Sequence, residues 1–201
     1  MSVIKKFLCY IVLLILISGC VNIKSKYIPP KIYTIQQQPI NNSIQTKIDK
    51  SIFVKQFNVG AEFETNKIVV FNGNNLHYYN YHLWALPFDE LLTNYVINRF
   101  NIYNTFTRGV FSSIFSATPN YILECKINTF KISNSENSIE VVLTMYLYKY
   151  SSENKDYQMF FSNNYSKKEN VINFSLDEVS IILENIMSEI TDNILKDIIG
   201  I

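Results

Sequence analysis

Apolar residues recur with two different periods along the chain, and the change of period separates strands from helices. Between residues 138 and 150, Ile139, Val141, Leu143, Met145 and Leu147 alternate with more polar neighbours, the two-residue period of a half-buried strand. Weaker alternation predicts strands over 31–35, 51–59, 67–84, 107–115, 121–132 and 157–165. The run 67–84 is interrupted by Asn72-Gly73-Asn74-Asn75, a hairpin-turn signal. After Pro87 the period lengthens. Phe88, Leu91, Leu92, Tyr95, Val96 and Phe100 fall on one helical face, with Asp89 and Glu90 placed to complement the positive end of the helix dipole. A second helix follows the capping box Ser175-Leu176-Asp177-Glu178, and its stripe comprises Leu176, Val179, Leu183, Ile186, Met187, Ile190, Ile194 and Ile198. Residues 36–50, rich in Gln, Asn and Ser, read as a loop. The pattern predicts an α+β domain: a mainly antiparallel sheet with two helices on one face.

The first twenty residues follow a different logic. Lys5 and Lys6 precede eleven consecutive apolar residues, Phe7 to Ile17, and then small Ser18 and Gly19 lead directly to Cys20. As a helix the apolar run would span about 16 Å, half of a bilayer core, so it reads as a secretory leader and not a membrane span. Ile17-Ser18-Gly19-Cys20 also resembles the bacterial lipobox, in which the thiol is acylated and the leader is cut just before it. The expected organisation is therefore a lipoprotein signal peptide over 1–19, a lipidated Cys20 with a flexible tether over 20–31, and a single domain over 32–201. An incidental Cys20 behind an ordinary leader is the alternative.

Composition narrows the chemistry. Apolar residues make up 48% of the 201 and charged residues 17%, enough for a sizeable core. The net charge of +1, which becomes −1 once Lys5 and Lys6 leave with the leader, offers no footprint for nucleic acid. None of the five glycines stands in a phosphate-cradling motif. Cys9 lies in the leader and Cys20 is the lipid site, so Cys125 stands alone, and its place in an alternating strand reads as a buried structural thiol. No catalytic set, metal site or cofactor is expected. The two histidines, His77 and His82, are five residues apart and so fall on opposite faces of a regular strand. No Gly-x-Ser-x-Gly elbow occurs. Glu184, Glu189 and Asp192 read as the solvated face of the last helix.

The densest aromatic stretch runs from Leu76 to Pro87. Simple alternation puts Tyr78, His82 and Trp84 on one face and Tyr79, Tyr81 and Leu83 on the other. One face is expected under the helices. The other is a candidate adhesive patch for a partner protein or a lipid chain, with Tyr79, Tyr81, His82 and Trp84 as candidate partner-binding residues.

These residues also resemble the ABC-type transport auxiliary lipoprotein component family (paraquat-inducible protein C-like). The resemblance is carried by Tyr33-Thr34-Ile35 after the lipobox, by Lys67-Ile68-Val69-Val70-Phe71, and by Tyr-x-Tyr-His-x-Trp-Ala-x-Pro from Tyr79 to Pro87. Leu91-Leu92 follows, then Tyr121-Ile122-Leu123-Glu124 with Ile127 and Phe130. Leu83 and Leu86 depart from the family's usual basic and acidic residues. The resemblance implies a non-catalytic subunit that works with a mammalian-cell-entry-domain protein and an ABC permease and ATPase to move lipids or hydrophobic compounds across the envelope. Val21 after Cys20 implies the outer membrane, facing the periplasm. Direct contact with a lipid substrate and self-association stay open, as does a structural or regulatory lipoprotein contacting a cell-wall synthase or other assembly.

Overall fold

In a computed structural model of the chain the described residues are 27–38, 46–113 and 118–201. The leader, Cys20 and the first part of the tether lie outside them. Within the described residues the order is β1 (Lys31–Tyr33), β2 (Ile52–Val54), β3 (Lys67–Asn72), β4 (Asn75–Trp84), α1 (Phe88–Tyr103), β5 (Val110–Phe111), β6 (Tyr121–Ser133), β7 (Ser138–Ser151), β8 (Asp156–Asn170) and α2 (Leu176–Gly200). The strands form one eight-stranded sheet. Its long ladders, β6 with β7 and β7 with β8, are antiparallel hairpins, as is β3 with β4.

The long ladders make the sheet mainly antiparallel, as expected, and the short strands add parallel pairings. β1 joins β4 in parallel, β2 joins both β5 and β6 in parallel, and β3 meets β6 in parallel through Phe71 and Ser133. The sheet is mixed. Alternation reveals which face of a strand is buried but not the direction of its neighbour, which is set by where crossovers such as α1 return the chain. Because β7 occupies one edge of β6 throughout, β2 and β3 share the other edge, β2 beside 121–123 and β3 at Ser133.

Local chemistry explains the element ends. Gly73, at φ +60°, turns β3 into β4, while Asn137 and Lys155 take the left-handed conformation in the four-residue links on either side of β7. Pro87 immediately precedes α1, and Asn104, at φ 51°, closes it by donating its N–H to the Phe100 and Asn101 carbonyls at 3.1 and 3.0 Å. At α2 the Ser175 hydroxyl accepts from the Glu178 N–H at 3.2 Å. The Glu178 carboxylate reaches further back than a standard capping box, accepting from the Ile172 and Asn173 N–H groups at 2.8 and 3.0 Å.

One face of the β6–β7 hairpin, from Leu123, Cys125 and Ile132 to Ile139, Leu143 and Met145, is completely buried. α2 lies across β7 and β8 on that face and α1 packs beside it against β2 and β5. The opposite face carries a polar ladder: Asn128 donates to Thr144 at 2.7 Å, and Thr144 to Asn164 at 2.6 Å. The two helices are joined by Arg99 of α1, only 3% exposed. Its Nε and Nη2 donate to both carboxylate oxygens of Asp192 at 2.8 Å, and its Nη1 donates to the Gln38 carbonyl at 2.9 Å. Asp192 therefore belongs to the helix interface and not to a solvated face. Glu184 is also partly buried, and desolvation pushes its carboxyl above the ordinary range. Glu189 does lie at the surface, paired with Lys167 at 2.8 Å. At the near end of the core, Trp84 packs on Phe88 (ring centroids 5.8 Å apart), and Phe88 stacks on Phe130 at 4.2 Å.

Four outcomes follow. Arg99→Ala strands a carboxylate between the helices and is expected to cost about 3–5 kcal/mol in urea unfolding followed by Trp84 fluorescence. Arg108→Ala, which breaks the exposed pair with Asp49, is expected to cost far less, and equal losses would refute the ranking. Trp84→Ala is expected to cost about 3–5 kcal/mol by far-UV circular dichroism, through the cavity it leaves. Glu136, bonded by both Lys131 and Lys168, has its carboxyl held down at about 2 from an ordinary 4.5. Its stabilisation is whole above the unfolded value and lost as pH falls from about 4.5 to about 2. A carboxyl NMR titration with its midpoint near 4.5 would contradict this.

Candidate functional site

The aromatic stretch in β4 does not obey the simple alternation read from its sequence. Val69 faces Tyr78 in the ladder, yet Lys67 faces Leu83, so two steps along β3 match five along β4. The three extra residues form a bulge that resets which way each side chain points. Tyr79 and His82, expected on opposite faces, meet edge to face with centroids 5.5 Å apart. His82 Nδ1 lies 3.0 Å from the Tyr33 hydroxyl, and the Tyr33 ring meets Trp84 edge-on at 6.5 Å. These four rings form a continuous chain from the half-buried edge into the core.

The candidate partner-binding residues thus separate. Trp84 is 2% exposed and is a core residue, so its reading as an interface anchor is corrected. Tyr79 and His82 are half-buried and committed to packing. Tyr81, 55% exposed, remains at the surface, together with Tyr78 and Leu76. Tyr33, named from the sequence only as part of a short strand motif, is the partner of His82; its hydroxyl meets a ring 49 positions away, and no local pattern encodes that.

Other candidate chemistry is also located. Cys125 is fully buried on the inner face of β6, and desolvation pushes its thiol well above the ordinary range, which keeps it protonated and unreactive. Asp89 accepts from the Gln56 side chain at 2.5 Å, and its carbonyl accepts from the Thr93 hydroxyl at 2.7 Å, so it ties the start of α1 to the β2–β3 connection. His77 is exposed opposite Val70, away from the Tyr33–His82 contact. Among the described residues no three His, Cys, Asp or Glu side chains gather as a metal site would require. Burial, together with a bond donated to Asp197 at 2.5 Å between β8 and α2, raises the Tyr165 hydroxyl far above the ordinary value.

A second aromatic surface, absent from the sequence reading, sits at the tip of the β7–β8 hairpin. The register aligns Ile122, Tyr148 and Met159 across three strands and places Tyr150 opposite Tyr157. The Tyr150 and Tyr157 rings are 5.3 Å apart, and Tyr157 donates to the Pro119 carbonyl at 2.8 Å. A one-residue bulge leaves Phe160 outside the ladder, with the Lys149 ammonium 5.0 Å above its ring. Met159 is 62% and Phe160 45% exposed. A depression of about 370 Å³ opens beside them, between Tyr150, Glu153 and Gln158. Rigid rings, a thioether and a cation around a shallow hollow are the ingredients of a protein-docking surface. The bulge that exposes Phe160 arises from pairing, which is why periodicity alone did not find it.

No family model matches the chain, and no curated protein matches it. Among solved structures it is similar to a Xanthomonas campestris protein carrying the family label DUF330, with a TM-score of 0.71 and 16% identity over 85% of this chain and 96% of that one. It is similar as well to an uncharacterized protein, with a TM-score of 0.67 and 16% identity over 85% of this chain and 99% of that one. The resemblance to the paraquat-inducible protein C-like family is therefore corrected: the structural likeness is to the DUF330 protein and its uncharacterized counterpart. The residues that carried the earlier resemblance are largely core residues, Trp84, Leu91, Leu92, Leu123 and Phe130 among them. A pattern made by packing marks a type of core and not a family. At 16% identity the comparison establishes one thing, that this chain has the α+β fold of the DUF330 structure.

Proposed function

We propose that the protein is a non-catalytic docking subunit of a bacterial envelope assembly, held to a membrane by a lipid on Cys20, and that the assembly moves lipids or hydrophobic compounds. The observation that carries this reading is the exposed aromatic tip of the β7–β8 hairpin. β7 has 14 residues, which at about 3.3 Å each set the tip roughly 45 Å from the opposite end of the hairpin. That opposite end is where the tether joins, because Lys31 of β1 is bonded to Asp177 in the first turn of α2 at 2.6 Å. A domain tied down at one pole and sticky at the other is suited to reach a partner across a gap. Interface hot spots favour aromatic side chains that bury large area at little entropic cost, and Phe160 and Tyr148 have that character. The reactive side chains are committed elsewhere: Cys125 is sealed, His82 is bonded to Tyr33, and Asp192 is paired with Arg99. No helix among the described residues is long and apolar enough to cross a membrane. In this reading the partners are a mammalian-cell-entry-domain protein or an ABC permease, at an outer membrane facing the periplasm.

The test is photo-crosslinking in intact cells from probes placed at Ser152 and Gln158, beside the aromatic tip, followed by mass spectrometry of the adducts. Recovery of a transporter subunit is expected, and Phe160→Ala combined with Met159→Ala is expected to lower its yield about tenfold or more. Cell-wall synthases alone among the adducts would replace the transport reading with the regulatory one.

A further inference from the structure

We propose that the pole where the tether joins sits directly on the bilayer, with Ile172, Leu76, Tyr27 and Ile28 as its lipid-contacting residues. This inference rests on the lipid-anchor reading and adds to it an orientation and a contact surface. A chain of contacts brings separate segments to this pole. The Gly73 N–H, in the β3–β4 turn, donates to the Ser135 hydroxyl at 3.1 Å. The next residues of that second turn lead to Asn137, whose carbonyl accepts from the Val171 N–H at 2.8 Å. From Val171 a short strap runs into α2, and Asp177 at the start of α2 holds Lys31, just after Tyr27 and Ile28.

The apolar residues here are exposed by a firm backbone and not by a loose one. Ile172 is 85% exposed, yet its own N–H is clamped by Glu178 at 2.8 Å, and Val171 before it is buried. Leu76 projects from a tight hairpin whose turn is tied to Ser135. Tyr27 is 80% exposed. Held in water, such groups gain nothing for the fold. Against acyl chains each would be buried.

The occupant is identified by where the chain leads. Only six residues separate Cys20 from Tyr27, seven steps that reach at most about 25 Å when extended, so an acylated Cys20 keeps this pole near the headgroups. Beside the 134–137 turn Lys131 and Lys168 both bond Glu136, and Glu140 lies between the same two lysines across the ladders, so the charges here balance. Asp177 is paired with Lys31, and the Glu178 carboxylate is held by two backbone N–H groups. Isoleucine, leucine and tyrosine at the end of a short tether fit the boundary between headgroups and acyl chains.

The test uses the full lipidated protein in vesicles of phosphatidylethanolamine and phosphatidylglycerol. Ile172→Cys and Leu76→Cys each receive an environment-sensitive fluorophore, with Met159→Cys as the far-pole reference; buried Cys125 does not compete for the label. On reconstitution the 172 and 76 labels are expected to shift to the blue and to be quenched at least twofold by spin-labelled lipid, while the 159 label stays in water. Protein that floats with the vesicles while all three labels respond alike would overturn the orientation and leave the anchor intact. Protein that does not float would overturn the anchor itself, and the inference with it. Protection that disappears on dilution to one copy per vesicle would assign the surface to a second copy of the chain, which also overturns it.

Discussion

Everything in this fold depends on covering one apolar face of the β6–β7 hairpin. Two long antiparallel strands place Leu123, Cys125, Ile132, Ile139, Leu143 and Met145 side by side, and a hairpin so sided is not stable alone in water. α2 answers with a stripe running almost its whole length, and α1 fills the remaining area beside β2 and β5. Each fully buried large side chain contributes about 1.5–3 kcal/mol of transfer free energy, most of it offset by lost chain entropy. Apolar burial carries no direction, however, and two greasy helices can slide on a greasy sheet. The fork of Arg99 on Asp192 supplies direction, since both of its bonds are made in only one alignment of the helices.

Covering a single face leaves the molecule polarised. The other face of the hairpin stays polar and wet, with the Asn128–Thr144–Asn164 ladder running across it. The short strands β1, β2, β3 and β5 gather along the far edge of β6. Both ends of the long hairpin are then free to serve as surfaces: one end gathers the turns, the strap and the tether, and the other presents the aromatic tip.

The aromatic stretch of β4 shows how a local pattern is reinterpreted by pairing. In a regular strand, which alternates strictly, Tyr79 and Tyr81 would share one face of β4 and His82 and Trp84 the other. The bulge opposite Lys67–Val69 breaks that rule, turning Tyr79 and His82 toward each other and drawing Trp84 into the core beside Tyr33 and Phe88. The same burial explains how a short signature pointed to a family that the structural likeness does not support: Trp84, at its centre, is fixed by packing in this core.

Much of the secondary structure was legible from periodicity. The stripe of α1, the capping and stripe of α2, the Gly73 turn and the alternation in β7 are written locally, because each depends on residues within a few positions of one another. So was the burial of Cys125. What the sequence left undetermined were relations between distant segments: the parallel pairing of the short strands, the Arg99–Asp192 bridge across 93 positions, the Tyr33–His82 contact, and the two bulges that bury Trp84 and expose Phe160. Hydrophobic pattern determines which side of an element faces inward. Tertiary structure alone decides which neighbour it meets there, since register and direction are settled by competition among contacts whose partners lie far apart in the chain.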